Sequence, residues 1–160
     1  MSKILTISPE KCTNCRSCEL ICSFIKTGEF NPRESAVTVL FYEEAAISVP
    51  VMCMQCEDPS CMKVCPVNAL SRDENGAVVS DSEKCIVCKM CISACPFGNI
   101  SFSAREKKIV KCDLCDGDPN CAKVCLAGAI QYVDGTTGNI NKKRVIAEKF
   151  KDLFAEVKSI

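Results

Sequence analysis

Residues 53–66 read C-M-Q-C-E-D-P-S-C-M-K-V-C-P, and residues 85–96 read C-I-V-C-K-M-C-I-S-A-C-P. Each stretch has three closely spaced cysteines, a fourth after three residues, and then a proline. Three thiolates on one tight loop can hold three irons of a cubane, while the fourth, ahead of Pro66 or Pro96, reaches a neighbouring cluster. That is the ligand spacing of proteins with paired 4Fe-4S clusters.

The pattern recurs on either side. Upstream stand Cys12, Cys15, Cys18 and Cys22, with Ser23 in place of the proline. Downstream stand Cys112, Cys115, Cys121 and Cys125, with Leu126 in that place. The fragments D-P-S-C-M-K-V-C and D-P-N-C-A-K-V-C are related, as are P-V-N-A-L, P-F-G-N-I and L-A-G-A-I, so the chain reads as a duplicated two-cluster unit.

Sixteen cysteines in 160 residues would also suit a small disulfide scaffold. The spacing argues against it, because C-x-x-C-x-x-C is too tight for most bridges. Zinc knuckles take two ligands each and leave the third cysteine without a role, and the absence of histidine removes mixed zinc and Rieske-type ligation. Sixteen divides into four cubanes with none left over.

Lys and Arg balance Asp and Glu at 20 each. Bound cysteines are thiolates, so with four cores of about +2 the loaded protein carries roughly −8. Nucleic acid is therefore not an expected partner. No run of roughly 18 apolar residues occurs, so no membrane span is expected. The opening M-S-K-I-L-T-I-S-P-E-K reaches Cys12 without an apolar signal segment or a twin-arginine pair, which points to the cytoplasm.

Between the motifs, K-I-L-T-I reads as a strand, and Leu20, Ile21 and Phe24 as a helical turn packed beside a cluster. S-A-V-T-V-L-F-Y and A-I-S-V-P-V-M form a two-stranded ribbon, expected to pack over the protein's own clusters rather than face a partner. Pro50 makes its strand an edge or ends it. R-D-E-N-G-A-V-V is a hairpin turning at Asn75-Gly76, and F-S-A-R-E-K-K-I-V-K is a second, basic one. Lys11, Lys84 and Lys111 each precede a ligand loop. They are read as solvated surface lysines, the alternative being that they raise a cluster's potential. Ile146, Phe150, Leu153, Phe154 and Val157 recur at helical spacing, giving an amphipathic helix that docks on the core or on a partner.

The four cysteine groups, with proline after the second and third only and C-x-x-C-x4-C in the second, resemble the iron-sulfur subunits of molybdenum and tungsten bis-pterin oxidoreductases. The dimethyl sulfoxide reductase iron-sulfur subunit typifies that family. The resemblance covers about residues 3 to 132, and it implies two ferredoxin-like halves in a nested pairing, first motif with fourth and second with third. Carried onto this chain, Cys12, Cys15, Cys18 and Cys125 would hold one cluster, and Cys112, Cys115, Cys121 and Cys22 its neighbour. Cys53, Cys56, Cys61 and Cys95 would hold a third, and Cys85, Cys88, Cys91 and Cys65 the fourth. Many relatives have histidine between the first two cysteines of the second group, where this chain has Met54-Gln55, which implies the loss of a tuning hydrogen bond. The long insertions and C-terminal anchor of membrane-associated relatives are missing, in keeping with a compact cytoplasmic type.

The expected fold class is α+β. It comprises a four-cluster domain over 1–140 (halves 1–30 with 105–140, and 50–104; ribbon 31–49) and a C-terminal helix over 141–160. The resemblance implies electron transfer as the iron-sulfur subunit of a larger oxidoreductase, with no catalysis of its own. The expected partner is the catalytic subunit of a tungsten or molybdenum bis-pterin enzyme of aldehyde oxidoreductase or benzoyl-CoA reductase type, with a further electron-accepting or flavin subunit as an additional candidate. The alternatives are a subunit of a hydrogenase or carbon monoxide dehydrogenase, and a free polyferredoxin shuttle. Every cysteine is assigned as a ligand and histidine is absent, so acid-base catalysis has no obvious agent.

Overall fold

Among the described residues, eight short strands pair into four separate two-stranded antiparallel sheets, and short helices carry Cys18, Cys22, Cys61, Cys91 and Cys121, the other cysteines lying on the adjoining loops. The computed structural model describes residues 3–136, together with 140, 143, 147 and 148. Apart from those isolated positions, the helix expected over 141–160 lies outside the described residues. The strands are β1 (Lys3–Ile7), β2 (Val37–Tyr42), β3 (Ile47–Met52), β4 (Leu70–Arg72), β5 (Val78–Ser80), β6 (Ile100–Ser103), β7 (Lys108–Lys111) and β8 (Ile130–Asp134). The helices are α1 (Ser17–Thr27), α2 (Ser60–Lys63), α3 (Met90–Ala94) and α4 (Asn120–Lys123).

Two strands far apart in sequence close the molecule. β1 pairs with β8, Leu5 opposite Tyr132 and Ile7 opposite Ile130. The other three sheets are local: the ribbon β2–β3 and the hairpins β4–β5 and β6–β7. Helix α1 packs on α4, and α2 on α3. The apolar side chains divide likewise. One core gathers Cys18, Cys22, Val37, Val39, Met52, Cys121 and Ile130, and another Cys61, Leu70, Val78, Cys91, Ile100 and Ile109. A smaller group, Ala77, Cys112 and Leu114, with Cys53 and Val79 packed against it, lies at the junction.

Helix α1 departs from expectation in length and in phase. It runs 11 residues rather than one turn. Ser23 stands where Pro66 and Pro96 follow the fourth cysteine, and a proline there would remove a backbone donor and clash with the preceding turn. Where the prolines are present, α2 and α3 stop at Lys63 and Ala94, and α4 stops at Lys123 although Leu126 stands in that place, so the missing proline permits a longer helix without dictating one. Gly28, at φ +75°, ends α1 with its N–H bonded to the Phe24 carbonyl at 2.7 Å. Cys18 and Cys22, four residues apart, set the buried face, and Glu19 and Ser23 are buried with them. Leu20 and Phe24 turn outward, contrary to the sequence reading, and Phe24 stacks on Phe30 with ring centroids 4.8 Å apart.

The ribbon is built into the protein's own core. Val37, Val39 and Met52 are nearly inaccessible, while Leu40, Tyr42 and Ile47 are exposed on the other side. The strand holding Pro50 continues to Met52. In a two-stranded ribbon both strands are edges, so the missing N–H of Pro50 costs no ladder bond on its outer side. Both expected hairpins are present, the first turning through Asn75 and Gly76.

Candidate metal centres

All sixteen cysteines are free. Each ligand loop bends at the same place: the residue before the second cysteine has positive φ, at Asn14 (57°), Gln55 (47°), Val87 (56°) and Leu114 (58°). None is a glycine, and for Val87 this conformation is a genuine outlier. Arg16 (56°) and Lys89 (64°) repeat the twist just after the second cysteine of the first and third motifs. Alternation into the left-handed region turns successive N–H groups inward, making a concave anion-binding nest. A cubane with four thiolates is an anion and would suit such a nest.

The structure brings the cysteines together in groups. Cys12, Cys15, Cys18 and Cys125 line one cavity of about 170 Å³ with Val39, Pro50 and Ile130. Cys53, Cys56, Cys61 and Cys95 line another of about 180 Å³. Cys65, Cys85, Cys88 and Cys91 line a third, tighter space walled by Leu70, Ile86 and Ile109. Of the remaining four, Cys22, Cys112 and Cys121 are buried, and Cys115 opens on a larger groove of about 550 Å³ that Cys85 also reaches.

The fourth cysteine of every motif receives a backbone N–H on its sulfur. Ala36 donates to Cys22 Sγ at 3.4 Å, Ala69 to Cys65 Sγ at 3.2 Å, Asn99 to Cys95 Sγ at 3.4 Å, and Ile130 to Cys125 Sγ at 3.3 Å. Such bonds favour the thiolate and stabilise the reduced, more negative state of anything bound to it.

Burial works against the bare thiolates. It pushes the Cys18 thiol up to about 12, with the charge of Glu19 adding to it. Burial pushes Cys112 up to about 11, and Cys121 up to about 12 with the charges of Cys112, Cys22, Cys115 and Cys18 contributing. Cys61 and Cys91 are raised for the same primary reason, and Lys111 opposes the rise at Cys61. Cys15 is instead lowered, chiefly by the backbone N–H of Ser17. At these five cysteines burial thus works against the thiolate form, which a bound metal centre would favour.

Two side chains at the junction of the cores, both noted in the sequence, are placed otherwise than expected. Gln55 donates from Nε2 to the Cys112 carbonyl and accepts the Val78 N–H on Oε1, both at 2.9 Å. Lys111 is buried, not solvated, whereas Lys11 and Lys84 are exposed as expected. Local pattern gave no signal for it, because Ile109 and Val110 on the two faces of β7 are both buried and strand alternation does not single out Lys111.

The donor set fits iron-sulfur clusters. It is all thiol, the loops are anion nests, and among the described residues no three Cys, Asp or Glu side chains converge closely enough for a single metal ion.

Residues 44–135 match the family model described as the 4Fe-4S dicluster domain. This protein belongs to that family. The aliphatic sulfonate oxidoreductase polyferredoxin-like subunit of Pyrococcus furiosus is 42% identical, over 84% of this chain and 78% of its own. A subunit of the anaerobic dimethyl sulfoxide reductase of Escherichia coli is 31% identical, over 86% of this chain and 75% of its own. Among solved structures, one polypeptide of the active site complex of benzoyl coenzyme A reductase with benzoyl-CoA aligns with 99% of this chain and 97% of its own. The TM-score is 0.50 and the identity 26%. This member of the dicluster-domain family is an iron-sulfur electron-transfer subunit, not a catalytic one. No helix among its described residues is long and apolar enough to cross a membrane.

Proposed function

We propose that the chain holds four 4Fe-4S clusters in the nested groups and carries electrons in the cytoplasm for the catalytic subunit of a tungsten or molybdenum bis-pterin oxidoreductase of benzoyl-CoA reductase or aldehyde oxidoreductase type. The observation that supports the grouping most is that three cavities are each lined by one complete quartet: Cys12, Cys15, Cys18 and Cys125; Cys53, Cys56, Cys61 and Cys95; and Cys65, Cys85, Cys88 and Cys91. Cys22, Cys112, Cys115 and Cys121 remain for the fourth. The halves follow as 1–30 with 105–140 and 50–104, with the ribbon 31–49 packed on the first. Pairing of β1 with β8 and packing of α1 on α4 support the outer half, and packing of α2 on α3 the inner one.

Bound clusters supply one-electron carriers with potentials set by ligand hydrogen bonds, net charge and exposure. The residues of the chain do the rest. Four backbone N–H groups hold the remote sulfurs, Val39, Met52, Ile109 and Ile130 exclude water, and the nests orient dipoles at the anionic cores. The groups adjoin in order, Cys18 beside Cys121, Cys112 beside Cys53, and Cys61 in one core with Cys91. Cys15 and Cys88, in the first and last groups of that order, are exposed and give the chain two ends at which to exchange electrons.

The partner assignment rests on the end-to-end match with the benzoyl coenzyme A reductase complex. Iron and acid-labile sulfide near 16 each per chain, on anaerobically purified protein, support four cubanes, and a content near eight refutes them. Affinity purification from the native host, followed by metal analysis of what copurifies, tests the partner. Recovery of tungsten or molybdenum in stoichiometric amount is expected. A protein recovered alone would favour a free shuttle, and a nickel enzyme would favour a hydrogenase or carbon monoxide dehydrogenase.

A further inference from the structure

Lys111, 5% exposed, ends β7, and its ammonium has three partners: the Val78 carbonyl at 2.5 Å, the Cys112 carbonyl at 3.0 Å and Cys53 Sγ at 3.3 Å. An ammonium has three donors, and all three are used, each on an acceptor. A neutral amine would leave one of these acceptors without its proton. The site lies where the two cores meet. Cys53 belongs to the second motif, Val78 to β5 and Cys112 to the fourth motif. Gln55 spans the same three segments through the Cys112 carbonyl and the Val78 N–H.

A positive charge held in a low-dielectric interior acts far more strongly than one in water. At a cluster it stabilises the form with the extra electron and raises the reduction potential, one of the protein's principal means of tuning such a centre. Lys11 and Lys84 stand at the same place relative to their own first cysteines, Cys12 and Cys85, but are exposed. Water screens their charge. Of the three described lysines that precede a ligand loop, one is therefore buried and two are natural controls.

We propose that Lys111 raises the reduction potential of the cluster that Cys53 helps to hold, making it the preferred resting place of an electron at the junction between the halves. The proposal rests on the four-cluster reading and deepens it. Lys111 is a tuning residue: it touches the sulfur of a ligand and a carbonyl of the adjoining group, and it supplies no ligand itself.

The test is a redox titration followed by electron paramagnetic resonance on anaerobically purified wild-type protein and on the variants Lys111→Gln, Lys111→Met, Lys11→Gln and Lys84→Gln, with iron counted on each. Gln keeps a donor without charge, and Met removes both. The expected result is full iron in all variants and a downward shift of one midpoint in both Lys111 variants. A tenfold or greater change in the reduced-to-oxidised ratio corresponds to at least about 59 mV for one electron. Lys11→Gln and Lys84→Gln should move no midpoint that far, and the signal that moves should be missing from Cys53→Ala. Unchanged midpoints with full iron overturn the proposal. So does a wild-type potential in Lys111→Gln with a shift only in Lys111→Met, which would assign the effect to hydrogen bonding. Loss of iron from both Lys111 variants overturns it in favour of a structural role. A wild-type iron content near eight refutes the four-cluster reading separately, and the proposal is then still decided by whether the remaining signals move.

Discussion

Lys26 Nζ lies 2.9 Å from Asp113 Oδ2, tying the last turn of α1 to the ligand loop of the fourth motif across 87 positions of sequence. Asp113 also accepts the Cys115 N–H on Oδ1 at 3.0 Å, which shapes the loop between Cys112 and Cys115. Burial pushes the Asp113 carboxyl up, but the hydrogen bond and charge of Lys26 outweigh it and hold it below the usual carboxylate range. Burial likewise presses Lys26 down, and Asp113 more than restores it. Each charge keeps the other ionised.

Replacing Lys26 by Met should therefore leave a partly buried carboxylate without its cation. The expected cost is about 1–2 kcal/mol, between the value of an exposed pair and that of a fully buried one. Asp113→Asn keeps an acceptor for the Cys115 N–H and should cost less. Chemical denaturation of the two loaded variants, with iron counted before and after, measures both. An equal loss in the two would mean that the charge pairing, which both variants remove, carries the whole effect, and no loss in Lys26→Met would show that the ion pair does not hold α1 in place.

Glu19 is 3% exposed, and its Oε1 accepts the Val39 N–H at 2.6 Å, so one carboxylate fastens the ribbon to α1 beside Cys18. Its Oε2 has no hydrogen-bond partner, and the Arg16 guanidinium is 3.9 Å away. Glu19→Gln keeps the acceptor and removes a negative charge next to a ligand. The cluster bound by Cys18 should then be easier to reduce, with its midpoint moving upward, opposite to the Lys111 variants. Glu19→Ala additionally strands a buried N–H, at a cost of about 1–3 kcal/mol. A midpoint that stays put in Glu19→Gln would show that this charge is screened from the cluster.

The elements legible in the sequence are those that local rules determine. Strand alternation found β1 and the ribbon, Asn75-Gly76 found the first hairpin, and cysteine spacing found every loop. The phase of α1 was misjudged because Leu20 and Phe24 look like a buried stripe, while the ligands Cys18 and Cys22 decide which side faces in. Lys111 was misread because the same Lys-Cys step occurs at Lys11 and Lys84, and only tertiary packing separates a buried ammonium from two solvated ones. The positive φ at Val87 was not legible at all. No propensity scale places a β-branched residue there, and the ligand loop imposes it.

Arg105, at the turn of the β6–β7 hairpin, makes a bidentate ion pair with Glu29 beyond the end of α1. The hydrogen bond from Arg105 holds the Glu29 carboxyl below its ordinary range, with burial opposing only slightly. The folded value is depressed, so the contribution to stability is present above the unfolded value and disappears as pH falls through the folded one. Both groups are exposed, and salt should weaken the pair. A carbon-13 titration of the Glu29 carboxyl should show a midpoint below about 4.3 that returns there in Arg105→Ala. An unchanged midpoint in that variant would remove Arg105 as the cause.

The nested grouping makes a separable claim about Cys22 and Cys112. If first pairs with fourth, both ligate one cluster; if the motifs pair sequentially, Cys22 joins Cys53, Cys56 and Cys61, and Cys112 sits in a different cubane. Burial raises the Cys112 thiol, and the nearby charges of Cys53 and Cys22 both add to the rise, so adjacency alone does not decide which of the two shares its cluster. Iron counting does. Each single Cys→Ser variant should lose about four irons, and the double variant should also lose about four, because two lesions in one site cannot remove it twice. A loss of about eight in the double variant, with about four in each single, rules nesting out. Serine can retain a cluster through its oxygen, so Cys22→Ala, Cys112→Ala and their double variant are counted in parallel, and the alanine series decides.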